Sequence, residues 1–225
     1  MTVNTVGIEV PLDFPTATYN EFHEKISPLQ PKHSEAYKHY AGGWNAVAYR
    51  FASAADYDRE FTRSIQTSTC VTERNIQEHS LFGFFMSGVA VLDSAAYALY
   101  AVAYMIAPGK FLLTELHRIA FSSVAVSFAT HFSADPIAST LKAISENPEM
   151  IQLREIRNVL GHRASTTRAF GPSATGIWEL RHHHLSSRLQ EIEIDRSTTS
   201  RNRNALSTQL SLLAMGALNF ATAHF

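Results

Sequence analysis

Apolar residues recur at helical spacing along most of the chain. Between residues 34 and 65 this pattern predicts one amphipathic helix, although Gly42 and Gly43 mark a point where it can break because neither carries a Cβ. Further helices are predicted over about 69–107, 111–133, 135–146, 148–163 and 198–224, with proline or glycine at several of the boundaries. The apolar face of the helix over 34–65 consists of Tyr37, Tyr40, Trp44, Val47 and Phe51, continued by Phe61 and Ile65.

Three segments depart from the helical pattern. Residues 1–32 contain four prolines and predict an irregular N-terminal arm, and residues 164–176 predict a loop. Over 178–195 two patterns compete, because residues 191–194 alternate as in a strand while Leu185 and Leu189 have helical spacing. We therefore predict an all-α fold: a helical bundle with a long buried central helix, preceded by the arm, with a short β-hairpin near 178–195. One domain is expected over 33–225.

The segment from Leu81 to Ala107 is long enough to span a bilayer, and Asp93 is its only charged residue. A carboxylate at the centre of a span costs about 2.5–3.5 kcal/mol. We therefore expect a central helix buried inside the protein and no membrane span, with Gly83, Ser87 and Ser94 allowing neighbouring helices to approach closely.

A buried Asp93 needs a partner, since an isolated carboxylate in a core is costly. Arg157 is the first candidate for a structural ion pair, and a hydroxyl group from a neighbouring helix is the second. A third interpretation is that Asp93 faces a water-filled edge.

Composition restricts the classes of protein further. A single cysteine, Cys70, excludes an internal disulfide framework and a cysteine zinc cluster. The first fourteen residues do not resemble a secretion signal, so a cytoplasmic protein is expected. The net charge of −1 conceals a segment, 151–204, with nine arginines, no lysine and five acidic residues. Arginine binds phosphate and other oxyanions through paired hydrogen bonds, although a solvated surface explains the same charge.

The densest polar pattern lies in the helix that follows Pro148. It reads Leu153-Arg-Glu-Ile-Arg-Asn-Val-Leu-Gly-His-Arg163, in which Leu153, Ile156 and Leu160 have the spacing of a buried face. Arg157 and His162 therefore lie towards the end of a packed helix.

Arg157, Asn158 and His162 form a motif that resembles the signature of the HEPN superfamily. In that signature four to six residues separate an arginine from a histidine, and the residue after the arginine is often polar. Four residues intervene here. The resemblance implies an all-helical bundle that forms a homodimer with two motifs lining one cleft. Many HEPN proteins are metal-independent ribonucleases, so RNA or a nucleotide is the implied partner, with no cofactor and no metal.

In that reading His162 acts as general acid or base, Arg157 offsets phosphate charge and Asn158 orients either group. Arg154 and Arg163 line the substrate cleft. The alternative is a non-catalytic HEPN-like binding module in which Arg157 neutralises Asp93 and His162 stabilises the helix C-terminus.

Other metal or catalytic patterns are weak. His182-His183-His184 resembles a metal-binding tract, but consecutive side chains diverge on a helix and alternate on a strand, so no metal site is predicted. No glycine-rich phosphate loop and no Gly-x-Ser-x-Gly elbow occurs in the sequence.

Overall fold

The computed structural model describes residues 1–4, 7–67, 71–162, 167–172, 178–186, 191–194 and 197–225. These residues form a helical bundle with a long central helix, which confirms the predicted all-α class. The helices are α1 (Thr16–Ile26), α2 (Ser34–Thr67), α3 (Val71–Ile106), α4 (Phe121–His131), α5 (Pro136–Glu146), α6 (Pro148–His162) and α7 (Thr198–His224). Within the segment predicted as one helix over 111–133, a short 3-10 helix (Leu113–Arg118) precedes α4.

Two small antiparallel sheets accompany the helices. Strands β1 (Thr2–Val3) and β2 (Glu9–Val10) form the first sheet. The second has the order β3 (Thr167–Pro172), β4 (Trp178–Ser186) and β5 (Glu191–Ile194). The pairing of β4 with β5 confirms the hairpin predicted near 178–195, whereas β3 occupies part of the predicted loop.

Contacts between residues divide the chain into two compact units. Unit 1 comprises residues 1–52, 90–147 and 206–225, and unit 2 comprises residues 53–89 and 148–205. Helices α2, α3 and α7 each contribute residues to both units. One domain was expected over 33–225. Whether the two units form that one domain depends on how they pack together, so the expectation stays a prediction.

The N-terminal arm in unit 1 is more regular than its prolines suggested. Helix α1 begins directly after Pro15 and buries Tyr19 and Phe22. The Tyr19 hydroxyl donates to the Trp44 carbonyl at 2.9 Å, and the Trp44 indole N–H donates back to the Tyr19 carbonyl at 3.2 Å. The two rings stack with centroids 4.8 Å apart. The prediction of irregular structure over 1–32 was therefore wrong for α1, because proline is well tolerated beside a helix start and the aromatic residues hold the helix against α2.

Helix α2 continues through Gly42 and Gly43, so the predicted weak point does not break it. The two glycines differ in their surroundings. A Cβ on Gly43 would lie 2.8 Å from Cδ1 of Tyr97 and 3.0 Å from the backbone nitrogen of Ala98, whereas a Cβ on Gly42 would meet nothing within 4 Å. Gly43 thus allows α2 to approach α3 closely, and Gly42 has no packing reason to lack a side chain.

We expect alanine at these adjacent positions to change stability in opposite directions. Gly42→Ala should raise the free energy of unfolding by about 0.5–1 kcal/mol, since alanine is the better helix former. Gly43→Ala should lower it by about 1–3 kcal/mol, because the new methyl group overpacks the contact with Tyr97. Urea unfolding of both variants measures this difference, and changes of the same sign would contradict the described packing.

In unit 2, the first half of α3 packs against the end of α2. A Cβ on Gly83 would lie 2.5 Å from Cζ of Tyr57, so this glycine accommodates the tyrosine ring as the sequence predicted for close helix approach. The buried side chain of Gln77 donates from Nε2 to the Ser64 carbonyl at 3.1 Å. A buried polar residue on an apolar helix is satisfied in this way.

Among the described residues, one helix, Arg74–Ile106, is long and apolar enough by composition to cross a membrane. Its most apolar window is 72% buried inside the protein. Core helices pass the same test, because burial against protein favours the same side chains as burial in lipid. The absence of a membrane span therefore stays a prediction.

Candidate functional site

Helix α6 carries the predicted motif on a packed scaffold in unit 2. Pro148 occupies its start and Glu149 its first turn, both favourable at a helix N-terminus. One face is buried and consists of Met150, Leu153, Ile156 and Val159. Leu160, expected on this face, is half-buried, because Val159 takes the inner position in the last turn. The described helix ends at His162.

Arg157 lies at the border of this buried face and is itself half-buried. Its Nε atom is fully enclosed, yet no acceptor among the described residues bonds to it. Buried donors in folded proteins nearly always have a partner, and an unpaired donor costs about 1–3 kcal/mol. Arg157 is therefore a partly desolvated cation, and no described residue accepts a hydrogen bond from its Nε.

The other motif residues are more accessible. Asn158 is half-buried and His162 is exposed in the last turn of α6. Arg154 is half-buried and does interact with a neighbouring group. Arg163, predicted to line the substrate cleft, lies outside the described residues. The structure therefore places Arg157, Asn158 and His162 on one helix, in which the arginine is held near the core and the histidine is open to reactants.

Asp93 belongs to unit 1 and is half-buried. Its Oδ1 accepts a hydrogen bond of 3.0 Å from the backbone N–H of Phe121, the first residue of α4. A carboxylate at a helix N-terminus satisfies a free N–H and interacts favourably with the helix dipole. Asp93 thus has a structural role within its own unit. Its predicted ion pair with Arg157 would join residues of different units and stays a prediction.

Comparison with protein-family models, with curated proteins and with solved structures gives no match in any of the three. The HEPN resemblance therefore rests on Arg157, Asn158 and His162 in this sequence.

Metal ligands are not clustered in the part of the chain that the structure describes. No group of three or more His, Cys, Asp or Glu residues is placed to hold an ion there. The backbone of His182-His183-His184 lies in β4, but their side chains are outside the described residues. The prediction that this tract holds no metal therefore stays a prediction.

Unit 1 contains a cavity that the sequence pattern did not reveal. It has a volume of about 420 Å³ and is lined by Gly42, Gly43, Ala46, Arg50, Asp93, Ser94, Tyr97 and Ile119. Residues on α2 at successive turns face residues on α3 there. The only sign of this cavity in the sequence is the adjacent pair Gly42 and Gly43. Helical periodicity alone identifies this pair as a point where the helix can break.

Proposed function

We propose that the protein is a HEPN-like, metal-independent ribonuclease in which Arg157 binds the phosphate of RNA and His162 transfers protons. The observation that carries this proposal is the enclosed Nε of Arg157, which has no hydrogen-bond acceptor among the described residues. A guanidinium group binds phosphate through parallel N–H donors, and the half-buried guanidinium of Arg157 is not neutralised at Nε by any described acceptor, so an oxyanion is the partner whose chemistry matches it.

The residue types supply the chemistry of phosphodiester transfer without a metal ion. His162 removes the proton from a ribose 2′-hydroxyl, and the 2′-oxygen then attacks phosphorus. The bond from phosphorus to the 5′-oxygen breaks, the His162 imidazole that was protonated in the first step gives its proton to that oxygen, and a 2′,3′-cyclic phosphate remains. Arg157 stabilises the negative charge that accumulates on the phosphoryl oxygens, while Asn158 orients the substrate.

Two copies of the chain complete this proposed site. Arg157 and His162 are five residues apart on α6, which separates their directions by about 140° at 3.6 residues per turn. One helix therefore presents the pair poorly to a single phosphate. A two-fold homodimer would bring Arg157 of one chain to His162 of the other, because a symmetric interface presents each surface twice.

Replacement of Arg157 by methionine tests whether the arginine is kept for function. We expect Arg157→Met to raise the free energy of unfolding by about 1 kcal/mol, since it removes an unsatisfied buried donor and keeps the apolar stem. The same variant should lose RNA cleavage. Arg154→Met is the matched control one turn away, and it should bring no stability gain because Arg154 already interacts with a neighbour. Strong destabilisation by Arg157→Met would favour the structural ion pair instead.

Mixing two inactive variants tests the composite site. In a mixed dimer of Arg157→Met and His162→Ala chains, one of the two sites contains both wild-type residues only if each site takes them from different chains. After random re-association we expect recovery of about a quarter of wild-type cleavage, as two-fold symmetry requires. No recovery in verified mixed dimers would show that each site lies within one chain.

A non-catalytic nucleotide-binding module is the second candidate, and the net charge of −1 favours it. Nucleic-acid affinity rests largely on positive charge, so a weakly charged chain fits a small phosphate ligand better than a long RNA. In that case Arg157 binds a phosphate that is not cleaved, and His162→Ala leaves nucleotide affinity within about twofold because its exposed side chain performs no proton transfer. A cytoplasmic location accompanies both proposals.

A further inference from the structure

The cavity in unit 1 brings opposite charges together without pairing them. Arg50 lines the cavity and is exposed, and its Nη1 donates to the Ala90 carbonyl at 3.1 Å and also to the hydroxyl of Ser94. These bonds fix one edge of the guanidinium group. Asp93 adjoins Ser94 and uses Oδ1 for the N–H of Phe121. Among the described residues no ion pair joins Arg50 to Asp93, so neither side chain is neutralised by the other.

Tyr97 adds a neutral hydrogen-bonding group to the lining of the cavity. The Tyr97 hydroxyl lies 2.7 Å from Nδ1 of His39, whose Nε2 lies 3.7 Å from Oε1 of Glu35. Burial raises the pKa of Tyr97 above its ordinary value, so the hydroxyl stays protonated at neutral pH. His39 and Glu35 therefore hold the tyrosine ring in place along the wall of the cavity.

Gly42 supplies an independent observation. It lines the cavity, sits inside a long helix and has open space where a Cβ would be. An interior glycine costs a helix about 1 kcal/mol relative to alanine. Packing explains Gly43 but not Gly42. The open space at position 42 leaves room beside the charged groups for a ligand, and a large side chain there would fill it.

We propose that this cavity binds a small zwitterion, with its ammonium group on Asp93 and its carboxylate on Arg50. The volume of about 420 Å³ lies within the range of small-molecule sites. A site that contains both a cation, Arg50, and an anion, Asp93, selects a ligand that carries both charges. An ion of one sign would leave the opposite protein charge without a partner. The proposal rests on unit 1 alone and is independent of RNA cleavage.

Calorimetric titration of the full-length protein tests this proposal. The probes are the ω-amino acids from glycine to 6-aminohexanoate, each compared with the alkylamine and the carboxylate of the same length. At least one ω-amino acid should bind with a Kd below about 1 mM. The two analogues that carry one charge should bind at least about tenfold more weakly, since each lacks one charge-assisted hydrogen bond.

Three variants locate the binding. Asp93→Asn keeps an oxygen for the N–H of Phe121 but removes the charge, and it should weaken binding at least about tenfold. Gly42→Leu should abolish binding by filling the open space, whereas Gly42→Ala should retain it. Circular dichroism confirms that each variant is folded. The proposal is overturned if no ω-amino acid titrates, if a singly charged analogue binds as tightly, or if Gly42→Leu binds like the wild type.

Discussion

His162→Ala is expected to reduce the rate of RNA cleavage by about 10²–10⁴-fold, the usual contribution of a general acid or base. His162 is exposed in the last turn of α6, so its removal should leave the free energy of unfolding within about 0.5 kcal/mol of wild type. The loss would therefore be chemical. Single-turnover cleavage of a labelled RNA pool in the presence of a chelator measures the rate.

His79 provides the control for this experiment. It is also an exposed histidine in unit 2, but it lies on α3 beside the ring of Tyr57. His79→Ala should cleave RNA at the wild-type rate. Equal cleavage rates for wild type, His162→Ala and His79→Ala would remove His162 from the mechanism. No cleavage by any of the three folded proteins would favour the non-catalytic nucleotide-binding module.

Asp58→Ala is expected to lower the free energy of unfolding by about 3 kcal/mol, because it removes the carboxylate that pairs with the largely buried guanidinium group of Arg203. Asp58 is 6% exposed and accepts two hydrogen bonds of 3.2 Å, one from Nη1 of Arg203 and one from the hydroxyl of Ser200. This network ties the end of α2 to the start of α7 within unit 2. Urea unfolding measures the loss.

Asp56 is the matched control, two residues away on the same helix. It pairs with Arg59, and both side chains are more than half exposed. Exposed pairs contribute little, so Asp56→Ala should change the free energy of unfolding by less than about 1 kcal/mol. Similar losses for Asp56→Ala and Asp58→Ala would contradict the difference in burial described for the two carboxylates.

The helical part of the fold could be predicted because its cause is local. Apolar spacing and the prolines placed α5, α6 and α7 almost to the residue. Helix α1 could not be found in this way, because it depends on Tyr19 packing against Trp44, 25 residues further along the chain. Strand β3 depends on pairing with β4 and is equally invisible to local periodicity. Tertiary contacts override local signals in both cases.

The candidate site was predicted only in part. The motif located Arg157 and His162, but only the structure shows that Nε of Arg157 is enclosed without an acceptor among the described residues. For Asp93 the sequence shows a charge within an apolar helix, yet its observed partner is a backbone N–H, which no residue pattern specifies. Arg50 and Tyr97 gave no signal, because their association depends on the close approach of α2 to α3 at Gly43.

The most direct test of the central claim is the product analysis of wild-type protein incubated, in the presence of a chelator, with an RNA oligonucleotide and with its 2′-deoxy counterpart. The proposed mechanism predicts that the RNA is cut to fragments ending in a 2′,3′-cyclic phosphate and that the deoxy strand stays intact, because the 2′-hydroxyl is the nucleophile. An intact RNA after incubation with folded, dimeric protein, or cleavage of both strands, would contradict it.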